Sequence, residues 1–288
     1  MKVSGFTFIR NAIKYDYPVV ESIRSILPLC DEVVVAVGNS DDDTRNLIAG
    51  IDDKIKIVDT VWDDSLRVGG RVLALETDKA FGAVSNDSDW AFYIQGDEVM
   101  HEKYLDEVRS QMEQWKDDKR VEGLLFKYLH FYGSYDFVAS STRWYSHEIR
   151  VIRADKSIYS FRDAQGFKIG NNRRLRVKPI DAYIYHYGWV KEPAAMQKKQ
   201  ETFNKYWHDD DWMEENIVKA SEFDYSNIDA LKPFEGTHPK VMQERLKRKN
   251  WKFEFDFSKS NISRKDKLKI YLRDRFGIDT GYKNYRKI

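Results

Sequence analysis

Trp90-Ala-Phe-Tyr-Ile-Gln-Gly-Asp-Glu98 decides the reading of this chain. An unbroken apolar run ends on a glycine and two adjacent carboxylates. A short run of this kind reads as a strand buried on both faces. Gly96 lets the backbone come close to a ligand. Two carboxylates just past a buried strand are costly unless something pairs with them, and a divalent cation carrying a diphosphate would do so. The plainer reading is a solvated turn whose Asp97 or Glu98 caps the next helix.

Upstream of this run, strand and helix patterns alternate. Val3–Ile9 is β-rich. Tyr17–Leu27 carries Val19, Val20, Ile23, Ile26 and Leu27 at helical spacing, with Pro18 acceptable in a first turn. Glu32–Gly38 is a continuous apolar strand, Asp43–Ala49 a short helix, Lys54–Val58 a strand and Leu66–Val84 a helix. Such repetition with short crossovers predicts a three-layer α/β fold with a mostly parallel sheet. Ligands in such sheets bind beyond the carboxyl ends of the strands. That rule selects Arg10-Asn11, Gly38–Asp43 and Gly96-Asp97-Glu98.

Downstream the pattern changes. Tyr104–Lys116 reads as a helix, and Gly123–Phe131, Glu148–Arg153 and Ala182–His186 as strands. Helices are predicted over Glu192–Tyr206, Pro239–Lys249 and Ser263–Phe276, with a turn-rich stretch from Phe223 to Thr237. The expected division is a nucleotide-binding and catalytic domain over 1–190 and a helical C-terminal extension over 191–288.

Composition narrows the function classes. Among 288 residues, 48 basic and 47 acidic side chains leave a net charge of +1, so there is no global pull toward nucleic acid. The single cysteine, Cys30, excludes an internal disulfide and a multi-cysteine zinc site. No apolar run approaches the roughly 18 residues of a membrane span. A soluble, cytoplasmic protein is expected. The 17 Tyr and 8 Trp suit sugar-stacking faces as well as ordinary cores. From Arg264 to Ile288 there are nine Lys/Arg against three Asp/Glu. This basic tail reads as a solvated helix packed on the domain, or as a helix on an anionic membrane surface.

With Trp90–Glu98 after a fourth strand, and the loops at Arg10 and Gly38 ahead of it, the chain resembles the inverting family 2 glycosyltransferases of GT-A fold. The resemblance covers roughly residues 3–105 and extends more loosely to about 190. It implies a Rossmann-like three-layer α/β/α fold and an Asp-x-Asp-like motif, from which Gln95 departs at the first acidic position. It makes Asp97 the metal ligand, with Mn²⁺ or Mg²⁺ as cofactor. Phe8-Ile9-Arg10-Asn11 would cradle the nucleotide: Phe8 lies along it, Arg10 reaches the diphosphate and Asn11 meets the base or the turn. Asp41, Asp42 and Asp43 would be the candidates for contact with base or ribose, Asp41 or Asp43 also capping the following helix. Arg71, with Arg67 as alternative, would contact phosphate. His186, in Tyr185-His-Tyr-Gly-Trp189, would complete the metal sphere. An inverting displacement needs a base for the acceptor hydroxyl. Asp163, in Ser160–Phe167, fits best and Glu148 second, either being open to a salt bridge with Arg162 or Arg150. His238, in Phe234–Lys240, is expected to be structural.

The function implied is transfer of a sugar from a nucleotide diphosphate-sugar, UDP-linked, to a hydroxyl of a glycan or lipid-linked acceptor, in the cytoplasm or at the inner face of the cell membrane. Gln95 in place of an acid keeps open a non-catalytic nucleotide- or glycan-binding protein on the same fold; a metal-dependent nucleotide-sugar hydrolase, with water in place of the acceptor, is a second alternative.

Overall fold

The computed structural model describes residues 1–217, 219–256, 262–276 and 283–288. The first half alternates as the apolar spacing predicts. β1 (Val3–Ile9), α1 (Val19–Ile26), β2 (Glu32–Gly38), α2 (Thr44–Ala49), β3 (Ile55–Thr60), α3 (Arg71–Gly82) and β4 (Trp90–Tyr93) follow in order. β3, β2, β1 and β4 lie side by side and are parallel throughout. Each inner strand is apolar on both faces because both faces are covered. Val33, Val35, Trp90 and Phe92 pack toward α1 and the later helix α4 (Leu105–Trp115), through Val19, Ile23, Val108 and Met112. Val34, Ala36, Ala91 and Tyr93 face the opposite way, onto Val72, Leu73 and Phe81 of α3. The three-layer α/β order expected from sequence is present.

After β4 the sheet curls and becomes mixed. β5 (Glu98–Met100) precedes α4. β6 (Gly123–Tyr132), β7 (Ser134–Ala139), β8 (His147–Arg153), β9 (Ile158–Phe161), β10 (Gly166–Ile169) and β11 (Arg173–Trp189) come next. Across the sheet the order is β3-β2-β1-β4-β8-β6-β11-β10-β9. β8 runs antiparallel to both β4 and β6, whereas β11 runs parallel to β6. The predicted strand Ala182–His186 is thus a fragment of a strand of 17 residues. Its first half carries Arg173, Arg174, Arg176 and Lys178, which hid the strand pattern.

The last third supplies α5 (Pro193–Phe203), α6 (Asp210–Asn216), β12 (Leu231–Pro233), α7 (Gln243–Arg248), α8 (Arg264–Phe276) and β13 (Tyr285–Lys287). Both short strands join the sheet, β12 on β7 and β13 on β11. The stretch expected as a helical extension therefore also contributes strand pairing. Among the described residues no helix is long and apolar enough to cross a membrane.

Two local expectations are corrected. The helix predicted from Leu66 begins only at Arg71. Gly69 and Gly70 stand at φ +58° and +67°, a left-handed conformation that helical residues cannot adopt. Neither Asp41 nor Asp43 caps α2 through its side chain; Asp42 accepts the Thr44 amide at 3.0 Å instead.

Candidate active site

The register of three strands builds the site. β5 pairs antiparallel with β11 so that Glu98 stands opposite His186, and β6 pairs with β11 so that His130 also stands opposite His186. The Tyr187 amide donates to the Asp97 carbonyl at 2.8 Å, continuing the ladder one step beyond β5. Asp97 and His186, 89 positions apart in the numbering, thereby meet with Oδ2 and Nε2 3.8 Å apart.

Hydrogen-bond partners decide which nitrogen of His186 carries the proton. His130 Nε2 lies 2.8 Å from the Tyr145 carbonyl, which can only accept, so that nitrogen donates. Burial, joined for His130 by the neighbouring His186, holds both imidazoles below their ordinary pKa, so both are neutral. His130 then accepts at Nδ1 from the Nδ1–H of His186, 3.1 Å away. The Nε2 of His186 is left as a lone pair facing Asp97.

The adjacent carboxylates part company. Glu98 is fully buried and paired with the fully buried Arg150. Arg150 donates from Nε at 2.8 Å and from Nη2 at 2.7 Å, and Tyr128 adds a hydroxyl donor at 2.7 Å. Glu98 also accepts the Gln95 amide at 3.2 Å. This pair fixes the turn that presents Asp97. A buried, doubly bonded ion pair holds geometry more dependably than it adds net stability.

Asp97 points into a cavity of about 290 Å³ beyond the carboxyl ends of β1 and β4. Its counter-charge is Lys199 of α5, whose Nζ lies 3.5 Å from Oδ2 and donates to the Gly188 carbonyl at 2.9 Å. Burial alone would push the Asp97 carboxyl up; His186 whenever it carries a second proton, and the ammonium groups of Lys199 and Lys191, outweigh it and hold the carboxyl below its usual range. Lys191, buried against the Tyr17 ring and beside Lys199, is itself pushed down to about 7, burial being the larger cause.

The structure brings Phe8, Arg10, Gln95, Asp97, Asp163 and His186 to this one cavity. Arg10 is held by Asp64 at 2.5 Å and lies over the Trp62 ring. Gln95 Nε2 donates to the Ala164 carbonyl at 3.3 Å and so supports the loop that carries Asp163. That loop is tightly turned, with Arg162 and Ala164 at φ +58° and +64°. Burial raises the Asp163 carboxyl above its ordinary pKa, as suits a proton acceptor working nearer neutrality.

The other expected residues lie outside the cavity wall. Glu148 is buried behind the Asp163 loop, accepts from Asn284 at 2.9 Å and is pushed up to about 8 by burial. Arg71 is exposed at the start of α3. Arg67 is spent on Asp210 and the carbonyls of Lys205 and His208. Asn11, at φ +54°, accepts the Asp41 amide at 2.7 Å and acts as a loop brace. Asp41 pairs with Lys14, and Asp42 holds Thr44 and the Lys14 amide. His238 bonds the Tyr187 hydroxyl at 2.8 Å within an aromatic cluster, away from the cavity.

Sequence reasoning passed over half of the wall. Trp62 packs against Phe8 and Arg10, Tyr206 against Trp62, and Trp207 against Tyr206 and Phe203, while Lys199 and Phe203 come from α5. The segment docks through the Gly70 amide, which donates to the Tyr206 carbonyl at 3.0 Å. A side chain at Gly70 would place a Cβ 2.5 Å from that of Asp163 and 2.9 Å from the Trp207 ring. The signal was present in Lys199 and Phe203, which share an inward helix face with Met196.

Among the described residues no cluster of three or more His, Cys, Asp or Glu side chains is arranged to hold a metal. Asp97 and His186 nevertheless suit a cation whose other positions are filled by ligand oxygens and water, one carboxylate and one imidazole lone pair facing each other. Gly188 keeps the space between them clear: a Cβ there would lie 2.6 Å from Asp97 Oδ2 and 2.7 Å from His186 Nε2.

No family model matches the chain, and neither does any curated protein. Solved structures do show likeness. TarS of S. aureus aligns at 15% identity over 70% of this chain and 38% of its own, with a TM-score of 0.40. TarS residues 1–349 in complex with UDP aligns at 13% identity over 77% of this chain and 68% of its own, at 0.39. Glucosyl-3-phosphoglycerate synthase from Mycobacterium tuberculosis, in complex with Mn²⁺, UDP and phosphoglyceric acid, aligns at 19% identity over 45% and 43%, at 0.30. The chain thus spans about two fifths of the full TarS chain it is similar to.

Proposed function

We propose that the chain is an inverting GT-A glycosyltransferase that takes a sugar from a UDP-linked donor and passes it to a hydroxyl of a glycan or lipid-linked acceptor. The observation that carries this reading is the convergence of Asp97 and the lone-pair nitrogen of His186 in one aromatic-walled cavity that also holds Asp163. Phe8, Trp62 and Tyr206 offer faces for the base, and Arg10 a cation nearby. Asp97 and His186 are the residues that would hold Mn²⁺ or Mg²⁺, which when bound supplies stabilisation of the charge left on the diphosphate. Asp163 takes the proton of the acceptor hydroxyl as its oxygen bonds to the anomeric carbon and the bond to the diphosphate breaks.

Isothermal titration of UDP with and without Mn²⁺ tests the reading. Asp97→Ala is expected to remove the metal-dependent part of UDP affinity; an unchanged metal dependence would sink the assignment. The reading extends to the basic tail. Leu268 and Tyr271 are 58% exposed on α8, beside Arg264, Lys267 and Arg275, a mixture suited to an anionic membrane surface at the inner face of the cell membrane. Co-sedimentation with phosphatidylserine vesicles should fall when Lys267 and Arg275 are changed to Ser, and equal binding by both proteins would remove the membrane contact.

A further inference from the structure

Lys199 is a lysine in the place where a third acidic ligand would be looked for. Its side chain is 7% exposed, its Nζ is fixed by the Gly188 carbonyl at 2.9 Å and Asp97 Oδ2 at 3.5 Å, and the same Nζ lies 5.1 Å and 5.3 Å from the ring centres of Tyr17 and Phe203. It arrives from α5, an element unrelated in sequence to the strands that carry Asp97 and His186. The same carboxylate oxygen is the one nearest His186.

A divalent ion at Asp97 and His186 would share that oxygen with an ammonium group. With Nζ 3.5 Å from Asp97 Oδ2, an ion on that oxygen would stand close to the ammonium group, and two neighbouring cations repel strongly in a partly buried site. Metal entry therefore requires the lysine charge to move or to find a new partner. A lysine head on a flexible stem can swing by a few ångströms. In a cavity of about 290 Å³ the partner that relieves both cations at once is a diphosphate, which accepts from Lys199 through one oxygen while meeting the metal through others.

We propose that Lys199 is an exchangeable counter-charge: it neutralises Asp97 in the ligand-free protein and transfers to the donor's diphosphate when metal and nucleotide enter together. This rests on the glycosyltransferase reading of the site. It makes Lys199 a ligand-binding residue and makes metal and diphosphate binding mutually dependent.

Titration calorimetry on the full chain tests it, with MnCl₂ alone, UDP alone, UMP alone, and Mn²⁺ at saturating UDP. In the wild-type protein Mn²⁺ is expected to bind at least about tenfold more tightly with UDP present than without it, and equal affinity in the two cases overturns the proposal without any variant. Lys199→Met and Lys199→Gln, each checked for a cooperative melting transition, should move two affinities in opposite directions. Mn²⁺ alone should bind about tenfold more tightly, because its competitor for Asp97 is gone. Metal-free UDP should bind about tenfold more weakly, down to the level of UMP, and UMP itself should be unaffected. A merely structural lysine would weaken Mn²⁺, UDP and UMP together, and that result overturns the proposal, as does unchanged Mn²⁺ affinity. The two readings fail separately. If the wild-type protein binds no UDP under any condition, the glycosyltransferase reading fails and takes this one with it. If UDP binds with Mn²⁺ but the variants leave the metal-only and UDP-only affinities untouched, the assignment of Lys199 alone is lost.

Discussion

Glu148→Gln should make the protein more stable at neutral pH, and by an amount that depends on pH in a calculable way. Glu148 is 3% exposed on β8, and its carboxyl is pushed from an ordinary 4.5 up to about 8, chiefly because burial disfavours its charge. A carboxyl raised in the folded state binds more protons folded than unfolded between those two values. Stability contributed by the neutral form is whole below pH 4.5 and is lost as pH rises toward 8. Each pH unit in that window costs about 1.4 kcal/mol. At pH 7 the loss is about 3 kcal/mol, and glutamine, which cannot ionise, avoids it. The amide keeps the acceptor for Asn284, and its NH₂ can also serve Asn284 Oδ1, a buried acceptor with no partner among the described residues. Urea unfolding of both proteins from pH 4.5 to 8 reads the difference directly, since pH effects common to both cancel. The expected difference is near zero at pH 4.5 and rises toward pH 8. A flat difference across that range, or a variant less stable at pH 7, would refute the reasoning. Transfer activity in the same variant should survive, because Glu148 does not line the cavity.

Other outcomes follow from the site. Asp163→Asn should lower kcat by about 10²–10⁴ while donor KM stays within a few-fold. The wild-type rate should rise with pH through the raised pKa of Asp163, and that acid limb should vanish in the variant; a retained limb would place the base elsewhere. His130→Phe removes the acceptor that fixes His186, so affinity for UDP with Mn²⁺ should fall about tenfold to a hundredfold, with UMP affinity unchanged. Equal affinity with Mn²⁺ in both proteins would mean that His186 needs no such partner.

The parallel half of the fold was legible because its strands are apolar on both faces and its helices follow a regular spacing. Trp90–Tyr93, Glu32–Gly38 and Val19–Ile26 gave their positions within a residue or two. Legibility failed where charge and geometry override pattern. Arg173 to Lys178 masked the long strand β11, since long cationic side chains at a sheet surface keep their heads in water. Gly69 and Gly70 moved the start of α3 by five residues relative to the apolar periodicity. Residues at strand ends come together: Arg10, Gln95, Asp97 and His186 all line the cavity. The loop residues Asn11, Asp41 and Asp42 brace one another instead, because short polar side chains satisfy nearby backbone groups first. The two carboxylates at 97 and 98 looked equivalent in sequence. Strand alternation sends one into the cavity and the other into the core with Arg150, a partner 52 positions away that no local pattern could announce.

Lys199 stands 102 positions after the carboxylate it faces. A ribosome adding roughly 5–20 residues per second releases it about 5–20 seconds after Asp97. During that interval Glu98 and its turn can settle as Arg150 emerges, while Asp97 and the cavity face have only water. The strand β13 can dock on β11 only after residues 285–287 have been made. The first ninety residues can condense early from neighbouring contacts, whereas the chemistry waits for long-range closure. Loss of residues 283–288 would therefore be felt at Glu148, through Asn284, on a strand that was made more than a hundred residues earlier.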